Sequence, residues 1–302
     1  MRFGNRIVSG MRLSLPRSVL LWSLVVSPLV VLASVAGLVD PRVYGQETQN
    51  WATQARGQDL GNLLAVVVLV VAAVWYWKGS QRAGLVWLGT LLYLVYAFVV
   101  YAVAVHFNYL FLVYVAALGL SAWAVILHAN RLRGADVQYP LGRPLKVAAW
   151  VIIGIGVLFA GLWLSELVPA LISGRVPASL TEAGLWVNPI HVLDLSVVLP
   201  GFIVAGFAAL RRREHGLFWL APWLVFSALM GSSIIAAMVL MVMAGVASTA
   251  PAMVMVSLVV VASLLAAWGY LKGRSLSGPE ARHALQSQQR PASAESDATS
   301  RA

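Results

Sequence analysis

The chain contains no cysteine. That absence excludes disulfides, thiolate metal ligands, cysteine nucleophiles, c-type haem attachment and any cysteine-borne lipid anchor. Charge is scarce too, with 11% of the 302 residues being Asp, Glu, Lys or Arg, where a soluble domain has roughly 25%. At 60% hydrophobic residues and a mean hydropathy of +0.83, such a chain belongs in a bilayer. Acidic residues are the rarer sign, 11 against 21 basic ones. Most of the net +10 flanks apolar runs, so it reads as a topology signal and not as a nucleic-acid surface. Also missing are a Walker loop, a GxSxG elbow, a Gly-rich dinucleotide fingerprint and the HxxxH or HExxH spacing of a zinc site. No cofactor is expected. His106 and His191 with Asp194 or Asp59 would be a donor set suited to zinc or iron, but only His191 and Asp194 are near one another in sequence, so no metal is expected either. His128, His215 and His283 fall on the basic side of the spans or in the tail and offer no stacked pair for haem.

What is present is a series of apolar runs. Each is long enough, at about 1.5 Å per residue, to cross or nearly cross a ~30 Å hydrocarbon core. They run over 18–39, 62–74, 84–105, 109–127, 147–168, 188–210, 217–244 and 252–271. The expected fold is all-α, a polytopic transmembrane bundle of eight spans. A basic segment, 1–17, precedes the bundle of 18–272, and a Ser-, Ala- and Gln-rich tail, 273–302, follows it and is expected to be disordered. A secretory signal is the competing reading of the first run, which is longer than the ~7–15 residues of a signal core. With eight spans, all lysines and arginines except Arg42, Arg56 and Arg175 fall on one side. That bias predicts both termini in the cytoplasm of a bacterial plasma membrane.

Polar residues then single out the other side. Asn188 and Pro189 suit the cap and first position of the sixth span, and His191 and Asp194 follow three apart on one face. A carboxylate within a span costs roughly 2.5–3.5 kcal/mol at the helix centre and less near the interface, so Asp194 should face the bundle or a water-filled cavity. Asp59, His106, Asn108 and Glu166 lie at the same outer level, and Tyr93, Tyr96 and Tyr101 recur near one face of the third span. A candidate outer vestibule therefore comprises Asp194, His191, Asp59, His106, Asn108, Tyr101, Tyr96 and Glu166. Each has a plainer reading: Asp194 paired with a neighbour as a helix pin, the tyrosines as packing, Glu166 and His106 as solvated surface groups.

Arg82-Ala83-Gly84-Leu85-Val86-Trp87-Leu88 aligns with Glu214-His215-Gly216-Leu217-Phe218-Trp219-Leu220, and Asp59-Leu60 with Asp194-Leu195. The pattern reads either as a parallel 4+4 duplication or as shared span composition. The phrases Gly57-Gln58-Asp59-Leu60, Trp87-Leu88-Gly89-Thr90-Leu91-Leu92-Tyr93, Asn108-Tyr109-Leu110-Phe111-Leu112-Val113-Tyr114-Val115 and His191-Val192-Leu193-Asp194 resemble those of an uncharacterised family of bacterial multi-pass membrane proteins, over roughly residues 50–245. The resemblance implies a bacterial membrane setting and no activity. Three functions are open: a vestibule that binds or passes a small polar solute or a proton, an enzyme using the Asp/His pair as acid and base, and an assembly or sensory subunit. In the last, Gly154, Gly156 and Ala160 would meet a membrane-protein partner or a second copy. Beyond these, the expected surroundings are the lipid bilayer, without nucleic acid.

Overall fold

The computed structural model describes residues 14–134, 139–245 and 250–272. Most of the basic 1–17 segment, residues 135–138 of a basic loop and the whole 273–302 tail lie outside the described residues. The described chain is all-helical. The elements are α1 (Leu15–Val39), α2 (Gln49–Trp77), α3 (Gln81–Ala104), α4 (Phe111–Arg133), α5 (Arg143–Ser173), a short α6 (Ala178–Ala183), α7 (Pro189–Leu193), a π-helical stretch (Asp194–Val198), α8 (Leu199–Leu210), α9 (Glu214–Met243) and α10 (Ala250–Lys272). The π stretch joins α7 and α8 into one rod. Eight helical rods are thus long and apolar enough to cross a membrane.

Consecutive rods alternate in direction, so Lys78, Arg131, Arg133, Arg143, Arg211 to Arg213 and Lys272 collect at one end, the basic face. The connections 40–48, 105–110 and 174–188 collect at the opposite face. Neighbouring helices close two rings. In the first, α1 and α3 each pack on α2 and α4; in the second, α5 and α9 each pack on α8 and α10. The rings meet through α9, which packs on both α2 and α3. α3 is the most enclosed rod, with 72% of its apolar window buried against 28–39% for the others.

Small residues permit the central contacts. A Cβ on Gly57 would lie 2.2 Å from the Ala237 Cα, and one on Gly61 would lie 2.2 Å from the Ser233 Cβ, so the Gly57-x-x-x-Gly61 stripe of α2 lets α9 approach at backbone distance. Gly156 of α5 serves the sixth rod in the same way, packing near Leu199 O and Ile203, whereas Gly154 has nothing within 4 Å.

Two boundaries differ from the hydropathy reading. α2 starts at Gln49, thirteen residues before the apolar run, because its early polar residues Gln58, Asp59 and Asn62 bond to side chains inside the bundle. Asp59 is therefore a helix residue and not a loop carboxylate. α5 continues through Pro169 to Ser173 and stops at Gly174, whose left-handed φ of 63° suits glycine. Asn188 does cap the sixth rod, its Oδ1 accepting from Ile190 N at 2.9 Å, with Pro189 at the first helical position.

Candidate functional site

Asp59 and Asp194 lie at similar depth, about 26–28 Å along their helices from the first basic residue of the basic face, which places both near the far boundary of a ~30 Å core. Their surroundings differ. Asp59 is 1% exposed. Tyr44 OH donates to its Oδ2 at 2.8 Å and Tyr101 OH to its Oδ1 at 2.8 Å. α1 crosses so closely here that a Cβ on Gly37 would lie 2.2 Å from Asp59 Oδ2. Tyr101 stacks on Tyr114 at 5.3 Å, and Asn62 Nδ2 approaches Tyr101 OH at 3.5 Å. On the side of α2 that faces α9, Gln58 Nε2 donates to Tyr93 OH at 2.6 Å and Ser233 Oγ donates to Gln58 Oε1 at 3.2 Å. Tyr44 belongs to the connection outside the spans, and its burial, reinforced by the Asp59 carboxylate, pushes its hydroxyl well above the usual pKa.

Asp194 opens the π stretch. Pro200 follows that stretch, and its ring would crowd the carbonyl of Ser196 while offering no N–H in return, so the helix widens just ahead of it. Tyr96 OH donates to Asp194 Oδ1 at 3.0 Å, and Trp163 Nε1 donates to Oδ2 at 2.8 Å. Trp163 also packs on His191, with ring centroids 4.6 Å apart. His191 is 6% exposed and faces Glu166, Nε2 to Oε2 at 3.8 Å, while Ser179 of α6 hydrogen-bonds Glu166. Glu166 thereby ties the 174–188 connection to the end of α5.

Asp194 stands on the wall of a cavity of about 380 Å³. The cavity lies among α2, α3, α5, the sixth rod, α9 and α10, and its lining is overwhelmingly carbon. Phe202, Phe226, Met230, Met238, Met255 and Val259 contribute, and Gln54, Gln58, Tyr96, Tyr101 and Asp194 supply most of the polar groups. The sixth rod presents Ile190, Asp194, Val198, Leu199 and Phe202 to it, a stripe at helical spacing.

The eight expected residues thus fall into four pairs. Asp194 meets Tyr96, Asp59 meets Tyr101, and His191 meets Glu166. His106 and Asn108 form the turn before α4, where Asn108 Oδ1 accepts from Leu110 N at 2.9 Å and His106 Nδ1 lies 3.0 Å from Glu47. Only Asp194, Tyr96 and Tyr101 of the eight line the cavity. Four residues that sequence reasoning passed over also matter. Trp163 gave no signal beyond being an indole in a span. Gln54 and Gln58, with Asn62, form an i, i+4, i+8 polar stripe that was legible in the sequence. Among the described residues, no three His, Asp or Glu side chains converge as a metal site would require.

No family model, curated protein or solved structure matches the chain. The fold and the eight apolar rods define a multi-pass membrane protein.

Proposed function

We propose that this protein is a membrane-embedded binding or transport protein of the bacterial plasma membrane, and that its working site is the Asp194 cavity. The basic face lies in the cytoplasm with both termini, as the positive-inside bias supports, and the cavity belongs to the outer half of the bilayer. One observation carries this reading: an ionisable side chain of the sixth rod, held by one donor from α3 and one from α5, stands on the wall of a cavity instead of being sealed in packing.

The lining narrows the expected solute. A small fully polar solute would lose its hydration against phenylalanine and methionine side chains, at roughly 1–3 kcal/mol or more per unpaired polar group. The ligand that fits has an apolar body and one head that is cationic or donates hydrogen bonds to Asp194. Octylammonium is a suitable probe and octanoate its anionic counterpart. In lipid nanodiscs, isothermal titration calorimetry should show saturable binding of octylammonium and none of octanoate, and Asp194→Asn should weaken octylammonium at least tenfold without changing the fold. Equal binding of both probes, or binding indifferent to Asp194→Asn, would sink the reading.

A further inference from the structure

α5 and α10 pack together near the basic face, where Tyr139, just ahead of α5, stacks on Tyr270 of α10 with centroids 6.3 Å apart. Toward the opposite face α5 loses its cover. Every buried residue of α5 lies between Leu145 and Gly156, and none from 157 to 173 is buried. On α10, Val256 and Val260 turn toward Gly231 of α9. The two helices nevertheless both line the cavity at this level, α5 through Ile155, Phe159, Leu162 and Trp163, α10 through Ala252, Met255, Val256 and Val259. Leu162 is 40% exposed, and Met255 and Val259 are half-buried. By helical rise, Leu162 stands about 24 Å above Lys146, and Val259 about 20 Å from Lys272, both inside a ~30 Å hydrocarbon core. Leu158, Val168, Val254 and Leu258 beside them are exposed apolar residues, as a lipid-facing surface requires.

We infer that the cavity opens sideways into the bilayer between α5 and α10, and that its occupant is a single-chain amphiphile drawn from the membrane leaflet at the opposite face. The inference rests on the Asp194 reading and gives it a ligand class and a route. The polarity of the cavity matches a lipid of that leaflet. Gln54, Gln58, Tyr101 and Asp194 lie at the level of the far boundary, while Phe202 and Phe226 form a floor near the membrane midplane, so a head at the interface and a chain pointing inward meet the right groups at each depth. At about 380 Å³ the space is at the small end of the ~300–1,000 Å³ of ligand pockets, which suits one chain and a compact head and not a whole two-chain phospholipid. The chemistry of the head follows from Asp194 and from Glu166, which faces His191 on the same rod: an alcohol or amine head is accepted, a carboxylate or phosphate head refused.

The test uses full-length protein in vesicles. A photoactivatable octadecylamine carrying a diazirine along its chain is irradiated, and the labelled residues are mapped by peptide mass spectrometry. Labels are expected on Leu162, Met255 and Val259 and on the deeper Phe202 or Phe226, suppressed by an excess of unlabelled octadecylamine but not of stearate. Met255→Trp, which fills the gap, should cut the deep labels at least fivefold. Leu258→Trp, on the lipid-facing side of the same helix, should not. The absence of native cysteine allows a second arm: Leu162→Cys with Met255→Cys, bridged by bis-methanethiosulfonate reagents of graded length, should block octadecylamine labelling and recover it when a reductant cleaves the bridge. Labels confined to lipid-facing residues such as Leu158 and Leu258, or deep labelling unaffected by the bridge, would overturn the lateral route. If octylammonium from water still binds in an Asp194-dependent way in that case, the cavity reading stands and only the membrane route falls.

Discussion

Asp59 and Asp194 offer a comparison within one molecule, since each is a carboxylate near the far end of a membrane-spanning rod, in the first and the second helix ring respectively. Asp59 is sealed. Two tyrosine hydroxyls take both its oxygens, and Gly37 brings α1 against it. Asp194 has two donors as well, but it sits on a π stretch at the edge of an unfilled space, and both donors line that space with it. The difference teaches that depth and residue type do not separate a structural acid from a working one. What separates them is whether the neighbouring helices close over the group: α1 does so over Asp59 at Gly37, whereas α9 leaves the Asp194 cavity unfilled. It packs tightly on α2 through Gly57 and Gly61, and on the second-ring side it leaves room at Met230, Ile234 and Met238.

Several measurements can break or sharpen the contrast, and the largest effect belongs to the α2–α9 contact. Gly61→Leu would put a Cβ 2.2 Å from Ser233 Cβ and 2.6 Å from Tyr93 OH, so the two rings must part. Overpacking of this kind costs about 1–3 kcal/mol and more where backbone must move, and detergent size-exclusion chromatography should show loss of monodisperse protein. Gly154→Leu, which meets nothing within 4 Å, should elute like the parent.

Next comes the pair of acids themselves. Asp59→Leu strands the hydroxyl of Tyr44 in a buried site, at about 1–3 kcal/mol for an unsatisfied group, and leaves Tyr101 OH only the Ala55 carbonyl at 3.1 Å. Thermal unfolding should register it clearly. Asp194→Leu strands only groups that border a cavity, so it should cost under about 1 kcal/mol in stability while abolishing octylammonium binding. Equal destabilisation by both substitutions would erase the contrast between a sealed and a working acid.

A smaller effect is expected for Trp163→Phe. It removes the 2.8 Å bond to Asp194 Oδ2 but keeps an aromatic ring against His191. Losing one such bond is worth about 1 kcal/mol, so octylammonium affinity should change by roughly three- to tenfold with little shift in unfolding temperature. No change in affinity would mean that Trp163 plays no part in setting the carboxylate.

The smallest effect lies at the surface of the first ring. Asp40 accepts from Arg42 Nε and Nη2 and from Tyr109 OH, and Arg42 holds its carboxyl well below the usual range. A carboxylate depressed on folding stabilises above its unfolded pKa of about 3.9, and that contribution disappears as pH falls through the lower folded value. Limited proteolysis of the 40–48 connection should therefore distinguish the parent from Asp40→Asn at neutral pH and cease to do so in acid. The cavity at Asp194 should not respond to this substitution.

How much of this was legible before any coordinates follows from what each signal depends on. Span number, helical class and the separation of basic residues to one end depend on composition along the chain, which is local, and hydropathy counts them directly. The Asn188–Pro189 cap and the helical face shared by His191 and Asp194 are local for the same reason. The start of α2 was missed by thirteen residues because Gln58 and Asp59 look unfit for a membrane until their partners on the loop before α2 and on α3 are known. Tyr96 and Asp194 could be named, but not joined, since 98 residues separate them.

The amino-acid sequence by itself determined that this chain crosses a membrane as a set of helices, where its charges gather, and which few polar side chains go into the apolar phase, because the bilayer tests every segment one at a time. Only the tertiary structure decided which of those side chains is sealed and which borders open space. That outcome depends on how closely pairs of helices approach, on single glycines such as Gly37, Gly57 and Gly61, on a π turn ahead of Pro200 and on the lack of cover over α5 beyond Gly156. Each is a relation between distant segments, and side-chain periodicity along one segment carries no record of it.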